Sequence, residues 1–391
     1  MTWFPNLTLA MPADGEDATL VGRVWQPCVA GPTPVLIEGE NVRSLSATYP
    51  TMSDLLDAGH PARVARSAAG EVIGLLKDVH ANSAVDTRDL ERPWLLSPHD
   101  LQAVKAAGVT FAVSMIERVI EERALGDHAA AAELRTLIAE RIGGDLRGVV
   151  PGSPRAEELK QVFIDEGLWS QYLEVGIGPD AEIFTKGMPL STVGTGEAIG
   201  ILSKSTWNNP EPEVAVLVSS QGKIVGATLA NDVNLRDIEG RSALLLGKAK
   251  DNNASGATGP FIRLFDDAFN LDHVRGMEVS VGVNGHDGFS MYSTSDMKQI
   301  SRDPIDLVGQ LMGAHHQYPD GAILMMGTMF APVKDRDTPG MGFTHKVGDV
   351  VEIRAELLGS LVNIVRHSEE CAPWEFGTRR LMANLSTRGL L

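Results

Sequence analysis

Two carboxylates stand side by side at the start of a predicted strand. Glu211 and Glu213 lie two residues apart, directly before the apolar run of residues 214–218. Such a short run of β-branched and aliphatic residues is typical of a buried strand. Side chains of a strand alternate between its two faces, so residues two apart share a face. The sequence therefore predicts that both carboxylates point the same way.

A third carboxylate comes into reach if this strand begins a hairpin. Residues 219–222 give a turn signal, and residues 223–230 form a second β-type run. A hairpin centred on that turn places Asp232 opposite Glu211. Directly opposed residues of an antiparallel pair have Cβ atoms about 4.5–5.5 Å apart. Three carboxylates would then converge at one end of the hairpin.

Converging carboxylates repel one another unless a cation lies between them. Hard divalent cations prefer oxygen ligands, and Mg²⁺ keeps several waters beside a few carboxylates. We therefore predict a Mg²⁺ or Mn²⁺ site formed by Glu211, Glu213 and Asp232. The alternative is a solvated acidic strand edge, and a register slip of one residue would also break the set apart.

Composition narrows the class of partner. The chain has 391 residues with 34 Lys and Arg against 51 Asp and Glu, and its net charge of −17 argues against binding to a phosphate backbone. We expect a small-molecule partner, no nucleic acid and no membrane. The two cysteines, Cys28 and Cys371, suggest no disulfide framework or zinc site, so a reducing cytoplasm is expected. No apolar stretch is long enough to span a bilayer, and no signal peptide is evident.

Turn and helix-cap signals along the chain suggest two parts. Residues 1–96 are predicted to be a small mixed α/β domain, and residues 97–391 the catalytic domain. Within the second part, the Ser-Pro pair at 97–98 predicts a short helix over 100–107. Residues 115–168 are predicted to form a helical insert. No dinucleotide-binding fingerprint, P-loop or nucleophile elbow occurs.

Five motifs, in order, resemble those of the fumarylacetoacetate hydrolase family. They are an E-x-E pair, an N-D-V-x-x-R-D element, a G-P dipeptide, a late element ending in G-T, and a G-D ending. They lie at residues 211–213, 231–237, 259–260, 320–328 and 348–365. The resemblance covers residues 108–365. It implies an α+β fold whose catalytic domain is a mixed β-sheet roll around the metal, preceded by a smaller N-terminal domain. It also implies a homodimer or homotetramer.

Within the family the chain looks like the branch that dehydrates 2-keto-3-deoxy sugar acids. Residues 108–111 with Ser114, the run 236–240, and the pair Ala249-Lys250 carry this likeness. The branch resemblance implies a role in pentose catabolism: loss of water from a 2-keto-3-deoxy-pentonate through a metal-stabilised enolate, giving 2-oxoglutarate semialdehyde. The late motif departs from the family, because Met326 stands where a threonine is usual.

The resemblance also implies roles for an acid and a base. Lys250 is the predicted base, and the metal would supply the cation that lowers its pKa. Lys248 is the alternative, although the spacing from Lys250 to the G-P dipeptide fits the family better. Glu121, on the helical insert, is the predicted proton donor to the leaving hydroxyl.

Four further residues are predicted to form the substrate-binding set. Thr328 would donate a hydrogen bond to the substrate carboxylate, and Lys186 would contact the acid end of the substrate. Arg236 belongs to the set but is expected to brace Asp232 more than to touch the substrate. Ser114 completes it.

Two other functions remain open on the sequence. The first is a hydrolase of acylpyruvates or 2,4-diketo-3-deoxy sugar acids, which would use the same metal but attack a ketone with water. A Glu–His pair over the metal would favour it, and the only histidine in the expected region, His128, lies in an alanine-rich tract. The second is a non-catalytic binding protein, and the presence of both ligands and base argues against it.

Overall fold

The structure is a computed structural model that describes residues 3–111, 115, 119, 149–165, 167, 169–328, 330, 334–337 and 342–391. The strands of the described chain, β1 to β18, are Leu20–Gln26, Gly31–Glu38, Asn41–Ser44, Val72–Leu75, Trp94–Leu95, Ala103–Gly108, Glu182–Gly187, Ala198–Ile201, Asn208–Asn209, Pro212–Val218, Ile224–Asp232, Asn234–Leu235, Gly256–Leu264, Glu278–Asn284, Ser290–Asp296, Ala322–Met325, Val350–Ala355 and Gly359–His367. Its α-helices, α1 to α11, are Leu7–Ala10, Met52–Leu56, Pro61–Ser67, Leu76–Ala81, Pro154–Asp165, Gln171–Ile177, Arg236–Glu239, Leu246–Lys250, Leu271–Arg275, Pro304–Leu311 and Thr378–Thr387.

Two mixed sheets carry the fold. Among the described residues, the larger has 11 strands, ordered β4-β3-β2-β1-β13-β11-β10-β16-β6-β7 with β5 paired to β1. The smaller has 5 strands, ordered β15-β14-β17-β18-β8. Val216 and Leu229 of the first sheet share one buried cluster with Val281 and Ile353 of the second. Because apolar faces of both sheets meet there, burial of that surface holds them together. The predicted α+β fold with large mixed β-sheets is confirmed.

The N-terminal strands belong to the same large sheet. Strand β1 pairs with β13 through Leu20 and Arg263, and β2 to β4 extend the sheet outward from β1. Strand β2 begins at Gly31-Pro32. A proline fits there because it lies near the start of the strand, where a missing N–H costs little. The boundary at residue 96 stays a prediction.

The helix predicted over 100–107 is wrong. The chain forms β6 there, in parallel register with β16, from Ala103 opposite Ala322 to Ala106 opposite Met325. The cap-like Asp100 instead accepts hydrogen bonds from the backbone N–H groups of Met52, at 2.6 Å, and Leu101, at 2.7 Å. Pairing with a strand more than 200 residues away overrides the weak local preference for helix.

Helix α5 lies within the predicted insert, and α6 follows just beyond its predicted end at residue 168. Helices α5 and α6 pack through Phe163 and Leu173, with Met115 and Val119 in the same buried cluster. The rest of the predicted insert lies outside the described residues. Further along, Asp303 caps α10 and accepts a hydrogen bond from the N–H of Ile305 at 2.8 Å, as is typical of an Asp-Pro pair at the start of a helix. In the described segments, no helix has the length and apolarity needed to cross a bilayer.

Two buried histidines are expected to make the fold sensitive to mild acid. Burial lowers the pKa of His80 to about 4 and that of His99 to about 3. Unfolded histidines titrate near about pH 6.5, so below that pH the unfolded chain binds more protons than the folded one. Stability should therefore be complete above about pH 6.5 and fall as the pH drops toward 4. The slope is up to about 1.4 kcal/mol per pH unit for each histidine.

Chemical denaturation at several pH values between about 7 and 5 would measure this slope. The His80→Phe variant keeps a ring stacked on Phe4, whose centroid lies 4.6 Å away, and should make the slope clearly smaller. His60→Phe is the matched control, because His60 is exposed and should leave the slope unchanged. A slope that His80→Phe leaves intact would contradict the assignment.

Candidate metal centre

The acidic hairpin has the register that the sequence predicts. Strands β10 and β11 pair from Pro212 opposite Asn231 to Leu217 opposite Gly226. The N–H of Asp232 donates to the carbonyl of Glu211 at 3.0 Å, which makes these two residues neighbours across the hairpin. The predicted turn at residues 219–222 ends in a glycine with a φ of +74°, a backbone conformation that favours glycine.

The three carboxylates converge at the end of this hairpin. One oxygen from each of Glu211, Glu213 and Asp232 lies within 4.8 Å of the others. The side chains are almost fully buried, with exposures of 6%, 2% and 2%. Three buried carboxylates in such proximity are costly without a cation. Their oxygen atoms and spacing fit a hard divalent cation such as Mg²⁺, so this donor set is suited to the predicted metal.

The pKa values of the set reflect this crowding. Burial, together with the charges of Asp232 and Glu211, raises the pKa of Glu213 well above its usual range. Burial would also raise the pKa of Asp232, but the nearby Lys186 and Lys250 ammonium groups lower it overall. Glu213 is therefore the ligand least compensated by cationic side chains.

Glu213 is held by the backbone at the end of β16. Its Oε2 accepts a hydrogen bond from the N–H of Gly327 at 2.6 Å. Gly327 has a φ of +90°, and a Cβ there would lie 2.0 Å from Oγ1 of Thr110. That hydroxyl donates to the carbonyl of Met326 at 2.7 Å. Any side chain larger than that of glycine would collide with Thr110 here. The glycine of the G-T motif is therefore needed to hold the Glu213 carboxylate in place.

Lys250 lies against the same carboxylates. It ends the short helix α8 and donates hydrogen bonds to Glu211 and, at 3.0 Å, to Oδ2 of Asp232. Burial would lower the pKa of Lys250, but Asp232, Glu211 and Glu239 raise it well above its ordinary value. The pKa of Lys250 is thus raised here, whereas the sequence analysis expected a bound metal to lower it. A cation at the carboxylates would compete with the ammonium group for them.

The structure separates Lys250 from the alternative base. Lys250 is 3% exposed and faces the metal ligands, whereas Lys248 is exposed on the same helix. Residues two apart on a helix point in different directions, which explains why one reaches the site and the other does not. Lys250 therefore has the position that a base requires.

Lys186 has a different environment from the one predicted for a substrate contact. Its Nζ lies 2.7 Å from Oδ1 of Asp232, and it donates to the carbonyls of Val233 at 3.0 Å and Lys250 at 2.5 Å. These three partners match the three protons of an ammonium group. Burial lowers the pKa of Lys186, with Asp232 acting against that shift. Lys186 thus braces a metal ligand and the end of the helix that carries Lys250.

Asn234 and Glu239 support the ligands from the other side. Nδ2 of Asn234 donates to Glu211 at 2.9 Å and to Glu239 at 2.6 Å. The sequence reasoning assigned no role to either residue, although both lie in the quoted motif runs. The four carboxylates, counting Glu239, face the two ammonium groups of Lys186 and Lys250. The carboxylates outnumber the ammonium groups, so a divalent cation would offset the excess negative charge.

A small cavity opens on these groups. Its volume is about 40 Å³, and Glu182, Phe184 and Thr328 line it together with the metal ligands and Lys250. That volume suits an ion with one or two waters. The sequence analysis did not predict Glu182 as a residue of this site. The signal was the strand alternation, which puts residues 182, 184 and 186 on one face of β7.

The remaining predicted site residues are placed as follows. Thr328 lines the cavity, as a substrate contact requires. Arg236 is not among the described residues that line it, and its guanidinium lies over the ring of Trp207 at 4.6 Å. Glu121 and Ser114 lie outside the described residues. Among the described lining residues there is no histidine.

Comparison with known proteins gives the same family as the motifs. Residues 174–366 match the model of the fumarylacetoacetate (FAA) hydrolase C-terminal family. The chain is 34% identical over 185 residues to a 2-dehydro-3-deoxy-D-arabinonate dehydratase of Saccharolobus solfataricus, which covers 47% of this chain and 58% of that protein. It is 31% identical over 195 residues to a probable 2-keto-3-deoxyxylonate dehydratase of Haloferax volcanii, covering 50% and 63%. The match thus spans less than two thirds of each curated relative.

The fold is also similar to that of a solved dehydratase. The structure of a 2-keto-3-deoxy-D-arabinonate dehydratase complexed with magnesium and 2,5-dioxopentanoate has a TM-score of 0.61 to this chain. The likeness covers 89% of this chain and 99% of that chain, at 22% identity, which shows a common fold. Residues 174–366, with the motifs they contain, are similar to the fumarylacetoacetate hydrolase C-terminal family.

Proposed function

We propose that this protein is a divalent-metal-dependent hydro-lyase that removes water from a 2-keto-3-deoxy-pentonate and yields 2-oxoglutarate semialdehyde. The observation that carries the proposal is the convergence of three buried carboxylates with the buried Lys250. The dehydratase names of both curated relatives support the reaction class and the kind of substrate. The magnesium in the solved relative supports Mg²⁺ as the ion, with Mn²⁺ as the alternative.

Each side chain has a part in this chemistry. Glu211, Glu213 and Asp232 would hold the cation, which supplies Lewis-acid stabilisation of negative charge at the 2-keto oxygen. Lys250 would act as the neutral amine: once a cation takes the place of its ammonium group at the carboxylates, it would lose a proton to solvent and then accept the proton from C3 of the substrate. General base catalysis of this kind contributes about 10²–10⁴-fold. Lys186 keeps Asp232 and the end of α8 in place.

A proton must also reach the hydroxyl that leaves C4. Glu121 was predicted for this role and lies outside the described residues, so it stays a prediction. We propose Glu182 as the donor that the described cavity offers, because it lines the cavity together with Lys250. The bond from C4 to oxygen breaks as water forms, and the resulting unsaturated acid rearranges to the aldehyde. Thr328, which lines the same cavity, would bind the substrate carboxylate.

Turnover of defined substrates tests the proposal. The purified protein with Mg²⁺ is incubated with the D and L series of 2-keto-3-deoxy-pentonates, and the product is coupled to a 2-oxoglutarate semialdehyde dehydrogenase. We expect product from at least one series, and we expect a chelator to stop it. Acylpyruvates are tested in parallel, because their cleavage without any dehydration would instead indicate the hydrolase function.

Three broader properties remain predictions from the family resemblance. They are a role in pentose catabolism, a cytoplasmic location and a homodimeric or homotetrameric assembly. Sedimentation of the full chain would decide the assembly. None of the three affects the chemistry at the carboxylates.

A further inference from the structure

A second and larger cavity lies away from the carboxylates. We call it the C-terminal cavity. It lies between β1, the loop at residues 95–97, the loop at residues 190–198 and the segment 371–376 that precedes α11. Its volume is about 460 Å³, within the range of about 300–1,000 Å³ that small-molecule sites occupy. Among described residues it shares no lining residue with the metal cavity.

The outer wall of this cavity is fixed in place by the C-terminal helix. Asn384 donates from Nδ2 to the carbonyl of Val29 at 2.8 Å, and Arg388 donates from Nη1 to the carbonyl of Pro32 at 3.0 Å. Leu381 and Leu385 are buried in a shared apolar cluster. The segment 371–376 is therefore held at both ends, since β18 precedes it and α11 follows it.

Aromatic rings form much of the cavity wall. Trp25, Trp374 and Phe376 all line it, and the rings of Trp25 and Phe376 meet edge to face at 5.3 Å. Trp374 is 47% exposed, although its Nε1 donates to the carbonyl of Phe376 at 3.2 Å. Rings of this kind bind flat apolar bodies by stacking and by burial of area. The wall therefore suits a ligand with a planar body.

Arg23, a cation on the cavity wall, has hydrogen-bond donors that no described residue accepts from. Arg23 is 4% exposed, and Nε donates to the carbonyl of Ser97 at 2.9 Å, while Nη1 is buried with no hydrogen-bond partner in the described chain. Burial lowers the pKa of Arg23 to about 10, and the charge of Asp100 only partly offsets this. Glu197 also lines the cavity, but Arg88 already pairs with it at 2.8 Å. A buried guanidinium with unused donors favours an anionic partner.

We propose that the C-terminal cavity is a second binding site, separate from the metal centre, for a small organic anion with a planar apolar body. Its carboxylate or sulfonate group would pair with Arg23, and its body would lie against Trp25 and Trp374. The site is built largely from residues outside the family segment 174–366. It does not depend on the dehydratase function.

Dye binding to the full chain tests this site. The probe is 8-anilinonaphthalene-1-sulfonate, and the matched neutral probe is N-phenyl-1-naphthylamine, which has the same rings without the charge. With Mg²⁺ and oxalate present to occupy the metal centre, we expect one sulfonate dye per chain. Its affinity should exceed that of the neutral dye by at least about 10-fold. Energy transfer from tryptophan would report proximity to the wall.

Two variants locate the dye. Trp374→Ala removes an exposed ring and should leave the fold intact, and Arg23→Met removes the buried cation. Each is expected to weaken sulfonate binding by at least about 10-fold. Tyr292→Ala is the control, because this ring is 71% exposed on another sheet and should leave binding unchanged. If Arg23→Met does not fold, the loss in Trp374→Ala and the preference for the charged dye still decide the outcome.

Three results would overturn the proposal. One is equal affinity for the charged and the neutral dye. Another is binding that moves with the wrong residues: either both cavity variants bind the dye unchanged, or Ile305→Ser loses binding. Ile305 lines a different groove, beside α10. The third is a change of oligomeric state in Trp374→Ala with increased dye uptake, since this would assign the cavity to an interface between copies of the chain.

Discussion

Replacing Lys250 with methionine is expected to lower kcat by about 10²–10⁴-fold or more, while Mg²⁺ binds at least as tightly as to the unchanged protein. Methionine keeps the length and the buried apolar stem of the side chain. It removes the ammonium group that donates to Glu211 and Asp232. With one cation fewer at the carboxylates, Mg²⁺ meets less competition for the same oxygen atoms.

The same substitution should increase the difference in stability between the metal-free and the Mg²⁺-bound protein. Removing one partner of a buried ion pair destabilises a protein by about 3–5 kcal/mol. Lys250→Met should therefore melt at a lower temperature in chelator and regain more stability on addition of Mg²⁺ than the unchanged protein does. Thermal unfolding with and without Mg²⁺, together with calorimetric titration of Mg²⁺, measures both effects.

Two comparisons keep this prediction specific. Lys248→Met changes the same residue type on the same helix, but Lys248 is exposed, so activity should be retained. Glu182→Gln should slow the loss of water while leaving exchange of the C3 proton with deuterated water, because the base remains. Lys250→Met should lose both. Turnover by Lys250→Met at the rate of the unchanged protein would refute its role as base.

Replacing Glu213 with glutamine is expected to weaken Mg²⁺ binding by more than about 100-fold and to stabilise the metal-free fold. Loss of a residue that merely supports a metal ligand already costs about 10–100-fold, and Glu213 is proposed to be a ligand itself. Glutamine can still accept the hydrogen bond from Gly327 through its carbonyl oxygen. It removes one of three crowded negative charges, which is why the metal-free protein should gain stability.

Metal-dependent stabilisation is the direct measurement for Glu213→Gln. A ligand at 100 times its Kd stabilises the folded state by about 2.7 kcal/mol, so the unchanged protein should show a clear rise in Tm with Mg²⁺. Glu213→Gln should begin at a higher Tm in chelator and show no such rise. Glu278→Gln is the matched control, because Glu278 is exposed on β14 and should behave like the unchanged protein. A Mg²⁺ response retained in Glu213→Gln would exclude this carboxylate as a ligand.

The hairpin shows what short-range patterns can predict. A turn signal, two apolar runs and alternating side chains were enough to pair β10 with β11 and to bring Asp232 beside Glu211. Fewer than about two dozen residues separate the partners, so the register is set by local turn geometry and by burial of one face. The Asp-Pro cap of α10 is predicted by the same kind of local rule.

Other features depend on pairs far apart in the chain. Strand β6 formed where a helix was predicted, because β16 offers a partner and a buried position. Lys186 was expected to contact the substrate, but β7 places its ammonium group beside Asp232. Its other two protons are donated to backbone carbonyl groups. Glu182 reaches the cavity on the same strand.

The sequence by itself determined the likeness to the fumarylacetoacetate hydrolase family and the register that gathers Glu211, Glu213 and Asp232, because each is encoded in motifs or in turns of a few residues. Only the tertiary structure decided which lysine faces the carboxylates, which side chains brace them, and that a cavity closes between β1 and the C-terminal segment. The physical reason is that these contacts join distant segments. Their formation depends on the total area buried when the sheets assemble, and no local pattern records that quantity.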